Sequence, residues 1–543
     1  MRRDAPIRSV LGALLVLAAC AAPGEEGATD RRPPNILLIV ADDLGYADLG
    51  VHGSSIRTPN IDRLASEGVL FTQFHAGPSC APARAMLLTG NNNHVAGMGR
   101  QNTFIEGLPG YENRITERVA PLPRLLSEAG YHTSIAGKWH LGNNLDEAPP
   151  SVGFERSWIM VHGAGSHYDA TGFFDGGSTY LADGVEVAWP DGAYSTELYT
   201  DRILSFMDEA LAQDRPFFAF ASYTSPHWPL QVPEAYLDRY AGMYDEGYDV
   251  WRARNFERLR SAGIVPESWE LPPRNPAITP WDELDPDLAA YYTRGMELYA
   301  AMVENLDHHV GRIVEWLKEQ GEYEHTLVVF LSDNGAPIRD WWNGGEAHEY
   351  IRAHYDNAPE RMGRPGSWVS YGAGWGEAGS APFSRLKTYT REGGLVAPLV
   401  MRGPGVETPR RIEGAYATAM DLAPTLLEVA GARYPDDGTV RPMLGESMNA
   451  LLSGASDRVH DDTYVTTVYH AGRAYVRMGR WKLVSLDPPF DESKMELFDV
   501  IADPGETRDL RGSEPERYAD MLALWRSERA RLGIRLESER PQS

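Results

Sequence analysis

The sequence predicts an α/β fold: a large, mostly parallel β-sheet sandwiched by helices, with a small C-terminal α+β domain carrying an antiparallel sheet. Three observations predict it. Short β-branched or aromatic runs at residues 35–40, 132–136, 217–221 and 326–331 each end abruptly in polar residues. Such runs suit strands buried on both faces of a parallel sheet. Amphipathic stretches lie between them, and this alternation places helices on both sides of the sheet. From about residue 455 the runs become shorter and turn-linked, the pattern of an antiparallel sheet.

Taken in order, residues 1–19 combine Arg2, Arg3 and Arg8 with an apolar run over 10–19, too short for a membrane span of about 20 residues, and so form an export signal. Leu17-Ala18-Ala19-Cys20 resembles a bacterial lipobox, which makes Cys20 a lipidated mature N-terminus and the only membrane anchor. Residues 20–33 then form a flexible tether, and an exported lipoprotein of the periplasm or outer membrane is expected. The catalytic domain is expected over 34–454 and the small domain over 455–543. Helices are expected over 121–130, 196–211 and 285–320, with a C-terminal one over 514–531. Strands are expected at 463–469, 474–478, 481–485 and 496–499. Three stretches, 142–194, 242–285 and 335–384, read as long loops that shape a binding site.

Charge narrows the partners. The 543 residues carry 77 acidic and 51 basic side chains, a formal net charge of −26. Nucleic-acid binding rests on neutralising phosphates with Lys and Arg, so nucleic acid is excluded as a partner. A polyanion meets the same field unless a local basic patch offsets it, and small molecules are the expected substrates.

The polar tails fall at the carboxyl ends of the predicted strands, where ligands gather in such sheets. They are Asp42-Asp43, Lys138 with His140, His227, and Asp333-Asn334. Cys80 opens a predicted helix, with Pro82 in its first turn and Arg84 one turn on. Unpaired N–H groups there make an electropositive setting suited to a reactive thiol, although a lone cysteine also serves as a buried structural thiol.

Cys80-x-Pro82-x-Arg84, followed by Leu87-Leu88-Thr89-Gly90, resembles the signature of type I sulfatases, members of the alkaline phosphatase-like superfamily. Further family patterns recur in order at Asp42-Asp43, 137–142, 225–229, 332–335 and Lys387 ahead of Gly393-Gly394; Trp481-Lys482, 496–499, Asp503-Pro504 and Glu506 resemble the small domain of these enzymes. Bacterial arylsulfatases are the most similar members. Ala83 departs mildly from the pattern, where Ser or Thr is common.

The resemblance implies that Cys80 is oxidised to formylglycine by a formylglycine-generating enzyme. One hydroxyl of its hydrate attacks sulfur, and the other then expels sulfate from the sulfated enzyme. Asp42, Asp43, Asp333 and Asn334 form an oxygen-only ligand set suited to Ca²⁺ or Mg²⁺, and the family implies Ca²⁺, with residue 80 held at the metal. By the same resemblance Arg84 stabilises the hydrate, Lys138 and Lys387 contact sulfate, His140 assists the hydrate, and His227 protonates the leaving oxygen. The expected reaction is aryl sulfate hydrolysis. Two alternatives stay open: a formylglycine-dependent phosphonate monoester or phosphodiester hydrolase, and a sulfate-ester-binding lipoprotein without turnover. Trp341, Trp342, Trp368, Tyr371 and Trp375 either form an aromatic mouth for an aryl or steroid-like group or pack at the surface.

Overall fold

The computed structural model of the chain describes residue 1 and residues 32–539. The expected export signal, Cys20 and the tether through Arg31 lie outside the described residues. Among the described residues no helix is long and apolar enough to cross a membrane.

A ten-stranded sheet forms the frame. Its strands are β1 (Asn35–Ala41), β2 (Val69–Phe71), β4 (His132–Lys138), β5 (Arg156–Met160), β6 (Tyr180–Ala182), β7 (Val185–Val187), β8 (Phe217–Ser222), β9 (Thr326–Ser332), β10 (Leu399–Arg402) and β11 (Arg411–Glu413). The strand order is β11-β2-β10-β9-β1-β8-β4-β5-β6-β7. The five central strands, β9 to β5, are parallel, and antiparallel pairings enter toward both edges. A two-stranded piece joins β3 (Phe74–His75) to β12 (Ala417–Thr418).

The continuous apolar runs have a simple cause. In β1, Ile36, Leu38 and Val40 enter one core while Leu37 and Ile39 enter the core on the other face. Alternate side chains point to opposite faces, so a strand covered on both sides must be apolar at every position. Helices Ser195–Ala212 and Pro286–Glu319 cover one face. Asp285 caps the second of these, its side chain accepting from the N–H groups of Asp287 and Leu288. Helices Cys80–Thr89, Leu122–Glu128 and Leu422–Ala430 cover the other face.

The loops expected over 142–194, 242–285 and 335–384 are more structured than their composition suggests. The first contains β5, β6 and β7, the second the helix Tyr248–Ser261, and the third the helices His348–His354 and Gly372–Gly379. Short strands at a sheet edge bury few side chains and leave no apolar run to read.

Near the C-terminus β13 (Val465–His470), β14 (Arg473–Met478), β15 (Trp481–Ser485) and β16 (Glu496–Asp499) form an antiparallel sheet. The helix Pro515–Leu532 packs on it through Met521 and Trp525, both fully buried. This sheet is tied to the two-stranded piece, at β3, by a buried ionic cluster. Glu392 meets His75 Nε2 at 2.6 Å and Lys482 Nζ at 2.5 Å, and Lys482 also meets Glu506 at 3.0 Å. Glu506 accepts from the Glu392 backbone N–H at 2.7 Å.

Candidate active site

Strand register assembles the site. Ala41 of β1 pairs with Ser332 of β9, while Val40 and Gly137 both pair with Ser222 of β8. Asp42, Asp333 and Lys138 therefore leave neighbouring strands at one edge of the sheet. Lys138 Nζ donates to Asp42 Oδ2 at 2.7 Å, and Asn334 Nδ2 donates to Asp43 Oδ1 at 2.6 Å. Gly137 lets β4 approach β8: its φ is +119°, and a Cβ there would stand 1.8 Å from Ser222 O.

Cys80 enters from the helix above this edge. Its Sγ lies 3.3 Å from Asp42 Oδ1, 3.8 Å from Asp43 Oδ1 and 3.0 Å from Lys387 Nζ. Arg84, one turn on, donates through Nε to Asp333 Oδ2 at 2.8 Å and through Nη1 to Ser222 Oγ at 2.5 Å and Lys138 O at 3.1 Å. Lys387 arrives on a loop seated against β9 by close backbone contact, since a Cβ on Gly335 would stand 2.3 Å from Gly393 O. Lys387 Nζ also reaches Asp43 Oδ1 at 2.5 Å, and Thr388 N donates to Pro78 O at 2.7 Å.

Asp43, His140 and Thr388 hold left-handed backbone, with φ of 63°, 56° and 76°. The conformation costs a β-branched threonine most, and such strain collects at functional sites.

The charges balance: Asp42, Asp43 and Asp333 face Arg84, Lys138 and Lys387, all buried. Burial works to raise the Asp42 carboxyl, but Lys138, with His227, Arg84 and Lys387 behind it, holds it far below the usual carboxylate range. Burial and then the Asp42 charge push Asp333 up to about 6. Burial would lower Lys387, yet the Asp43 charge, with Asp42 behind it, keeps it above its ordinary value. The expectation of an activated thiol is not met, because burial and then Asp42 push the Cys80 thiol up. Burial outweighs the nearby cations Lys138 and Lys387.

His227 Nδ1 lies 2.7 Å from Trp228 O; a carbonyl only accepts, so Nδ1 carries a proton. Nε2 then faces Asp43 Oδ2 at 3.4 Å. Burial pushes His227 down to about 4, with Asp42 opposing. His140 Nε2 lies 2.9 Å from Asn102 Oδ1, and its Nδ1 is buried without a hydrogen bond among the described residues.

The donor set fits a hard divalent cation. Asp43 Oδ2 and Asn334 Oδ1 are buried without hydrogen-bond donors among the described residues. Ligand atoms of Asp42, Asp43, Cys80 and His227 lie within 4.8 Å of one another. Carboxylate and amide oxygens are donors that a divalent metal ion accepts.

The structure thus gathers all the predicted site residues around one cavity or its floor. Sequence reasoning missed Ser222, the partner of Arg84, and Asn102, the partner of His140. Ser222 carried a signal, as the first polar residue of the run in β8. The aromatic mouth differs from expectation. Phe173, Trp228 and Trp341 line the cavity, whereas Tyr371 and Trp375 belong to a buried core. Trp368 is fully buried behind the mouth, and Arg352 covers the Trp342 ring at 4.2 Å.

The model of the sulfatase family matches residues 34–432, and that of the N-sulphoglucosamine sulphohydrolase C-terminal region matches residues 386–527. The arylsulfatase of Klebsiella aerogenes is 36% identical over 443 residues, covering 79% of this chain and 94% of the relative. An uncharacterized sulfatase of Schizosaccharomyces pombe is 34% identical over 535 residues, covering 93% and 95%. Among solved structures, Ps i-CgsB in complex with k-i-k-neocarrahexaose superposes with a TM-score of 0.64 at 26% identity, covering 92% of this chain and 93% of that one. A second, solved with its substrate D-glucosamine-2-N,6-O-disulfate, shares the fold at a TM-score of 0.62 and 19% identity, covering 94% and 100%. With the family matched across most of its length and on both sheets, the chain belongs to the sulfatases, and sulfate esters are what it hydrolyses.

Proposed function

We propose that the chain is an arylsulfatase-like enzyme whose residue 80 works as formylglycine. The observation that supports this most is the seat of Cys80. It opens a helix within Cys-x-Pro-x-Arg and lies between Asp42, Asp43 and Lys387 at the carboxyl edge of the sheet. Formylglycine there, made by a formylglycine-generating enzyme, would supply the hydroxyl that attacks sulfur. A divalent cation, Ca²⁺ by donor hardness, would be held by Asp42, Asp43, Asp333 and Asn334 and would polarise the sulfate oxygens.

The side chains divide the remaining work. Arg84 is locked by Asp333, Ser222 and Lys138 O, so its guanidinium stays fixed beneath residue 80. Lys138 and Lys387 pair with the non-bridging sulfate oxygens, a preorganised positive floor for charge that grows as the ester breaks. His140 lines the cavity with a free Nδ1 and serves as the base toward residue 80. His227 has Nδ1 committed to Trp228 O and gives its proton from Nε2 to the leaving oxygen. This help matters most for esters whose leaving oxygen cannot depart as an anion.

Mass spectrometry of the peptide containing residue 80 tests the central point. An aldehyde reactive toward hydrazides is expected in active protein, and Cys80→Ala should fold while losing turnover. Fully active protein whose Cys80 alkylates quantitatively as a thiol refutes it. We read Cys20 as a lipid anchor in the periplasm or at the outer membrane on its lipobox context; a Cys20→Ala protein that stays equally membrane-bound refutes that reading.

A further inference from the structure

The cavity above Cys80 has a volume of about 570 Å³, and aromatic and cationic side chains both line it. One wall is aromatic. Phe173 stacks on Trp341 with centroids 6.2 Å apart and planes 14° apart, and Trp228 meets both rings edge-on at 5.9 and 5.6 Å. Arg339 and Arg473, the latter the first residue of β14, also line the cavity.

The deep cations Lys138 and Lys387 suffice for one sulfate group, so these two guanidinium groups are surplus to it. Neither lies within 4 Å of a carboxylate among the described residues. Arg473 donates through Nε to Leu486 O at 2.8 Å and lies over Tyr389 at 4.6 Å; Arg339 lies 5.4 Å from the Trp341 centroid. Burial lowers Arg473, with Tyr389 and Asp487 opposing and the Arg339 charge adding a smaller push in the same direction as burial. Asp340 and Glu346 also border the cavity, but Asp340 is engaged by Tyr292 and Asn343, and Glu346 is exposed at the rim. Arg100 is already paired with Glu537 at 2.8 Å. Two guanidinium groups that line one cavity without a close ion-pair partner among the described residues, on a chain of net charge −26, make a local anion site.

We infer that the substrate is a ring sulfate bearing a second anionic group, which Arg339 and Arg473 bind while the ring lies against Trp341 and Trp228. This rests on the sulfatase reading and names the substrate class within it. The shared chemistry is the second anion, whether an aromatic carboxylate or a further sulfate on a sugar.

Two matched pairs test it on the full chain. The first is 4-(sulfooxy)phenylacetate against its neutral amide; the second is glucosamine-2-N,6-O-disulfate against N-acetylglucosamine 6-sulfate. In at least one pair the dianion should lead in kcat/KM by roughly tenfold at low salt, the scale of one charge-assisted contact. Which pair shows the lead identifies the source of the anion. The ratio should fall as salt rises and collapse toward one in Arg339→Gln/Arg473→Gln, while Arg63→Gln on the far surface leaves it intact. The salt titration needs no variant, so a misfolded double mutant leaves the test standing. Ratios near one in both pairs, or a ratio that survives the double substitution, overturn the inference. Continued hydrolysis of the neutral ester in that case leaves the sulfatase chemistry in place.

Discussion

Replacing Gly137 by alanine should separate catalysis from stability. The new Cβ would stand 1.8 Å from Ser222 O, and Cβ atoms essentially never come closer than 3.0 Å, so at least 3.0 − 1.8 = 1.2 Å of movement is forced. Ser222 cannot retreat, because β8 is paired to β1 behind it and its hydroxyl accepts from Arg84. The end of β4 must move instead and carry Lys138 away from Asp42. Overpacking costs about 1–3 kcal/mol, and a left-handed alanine about 1–2 more. With an unfolding entropy of about 2.1 cal/mol/K per residue over roughly 500 residues, the sum of about 2–5 kcal/mol lowers Tm by only about 2–5 °C. A misplacement of about 1 Å costs roughly 100-fold in rate. Calorimetry paired with kcat/KM on an aryl sulfate should therefore show a folded, nearly inert protein. Gly130→Ala is the control, with φ of +93° and nothing within 4 Å of its Cβ, and it should keep its activity. Activity of Gly137→Ala within threefold of the parent, or an equal loss in Gly130→Ala, refutes the reasoning.

Three further outcomes are expected. His227→Ala should barely slow nitrophenyl-type sulfates and should slow unactivated aryl or alkyl sulfates by roughly 10²–10⁴-fold, whereas Lys138→Ala slows all alike; the slope of rate against leaving-group pKa measures this. Chelation should abolish turnover, with Ca²⁺ restoring it better than Zn²⁺, and Asp333→Ala should not recover; full activity of that variant after chelation counts against the ligand set. Burial would lower the His460 imidazole, but Asp421 at 2.8 Å and Glu446 at 3.1 Å raise it above its ordinary value. Its stabilisation is therefore complete below the unfolded value of about 6.5 and is lost as pH rises through the folded value, so Tm should fall by about 1–2 °C across that interval and His460→Gln should remove the step.

The central strands were legible because burial on both faces demands an apolar residue at every position, as in β1. β5 and β10 were not, since Arg156 and Arg402 break runs only four or five residues long. The site was legible wherever a polar residue ended such a run, which covers Asp42, Asp333 and Lys138. Cys80 and Lys387 needed the motif, because no periodicity places a loop over a strand end. The mouth was misjudged for the same reason: Trp375 and Trp341 look alike in composition, and only tertiary packing sends one to the core and the other to the cavity. Arg473 comes from the second sheet, nearly four hundred residues beyond Cys80, and nothing local announces it.

The ionic cluster around Glu392 also sets a clock. His75 stands five residues before Cys80, while Lys482 lies 402 residues after it, so the cluster cannot close until nearly the whole chain has been made. At a synthesis rate of about 5–20 residues per second, that leaves roughly 20–80 s between the emergence of residue 80 and that of Lys482. In the finished fold Cys80 is only 1% exposed. On the proposed formylglycine reading, an enzyme that oxidises this residue would have to reach it while the chain is still open, and any mutation that speeds closure of the C-terminal sheet would shorten the interval for maturation.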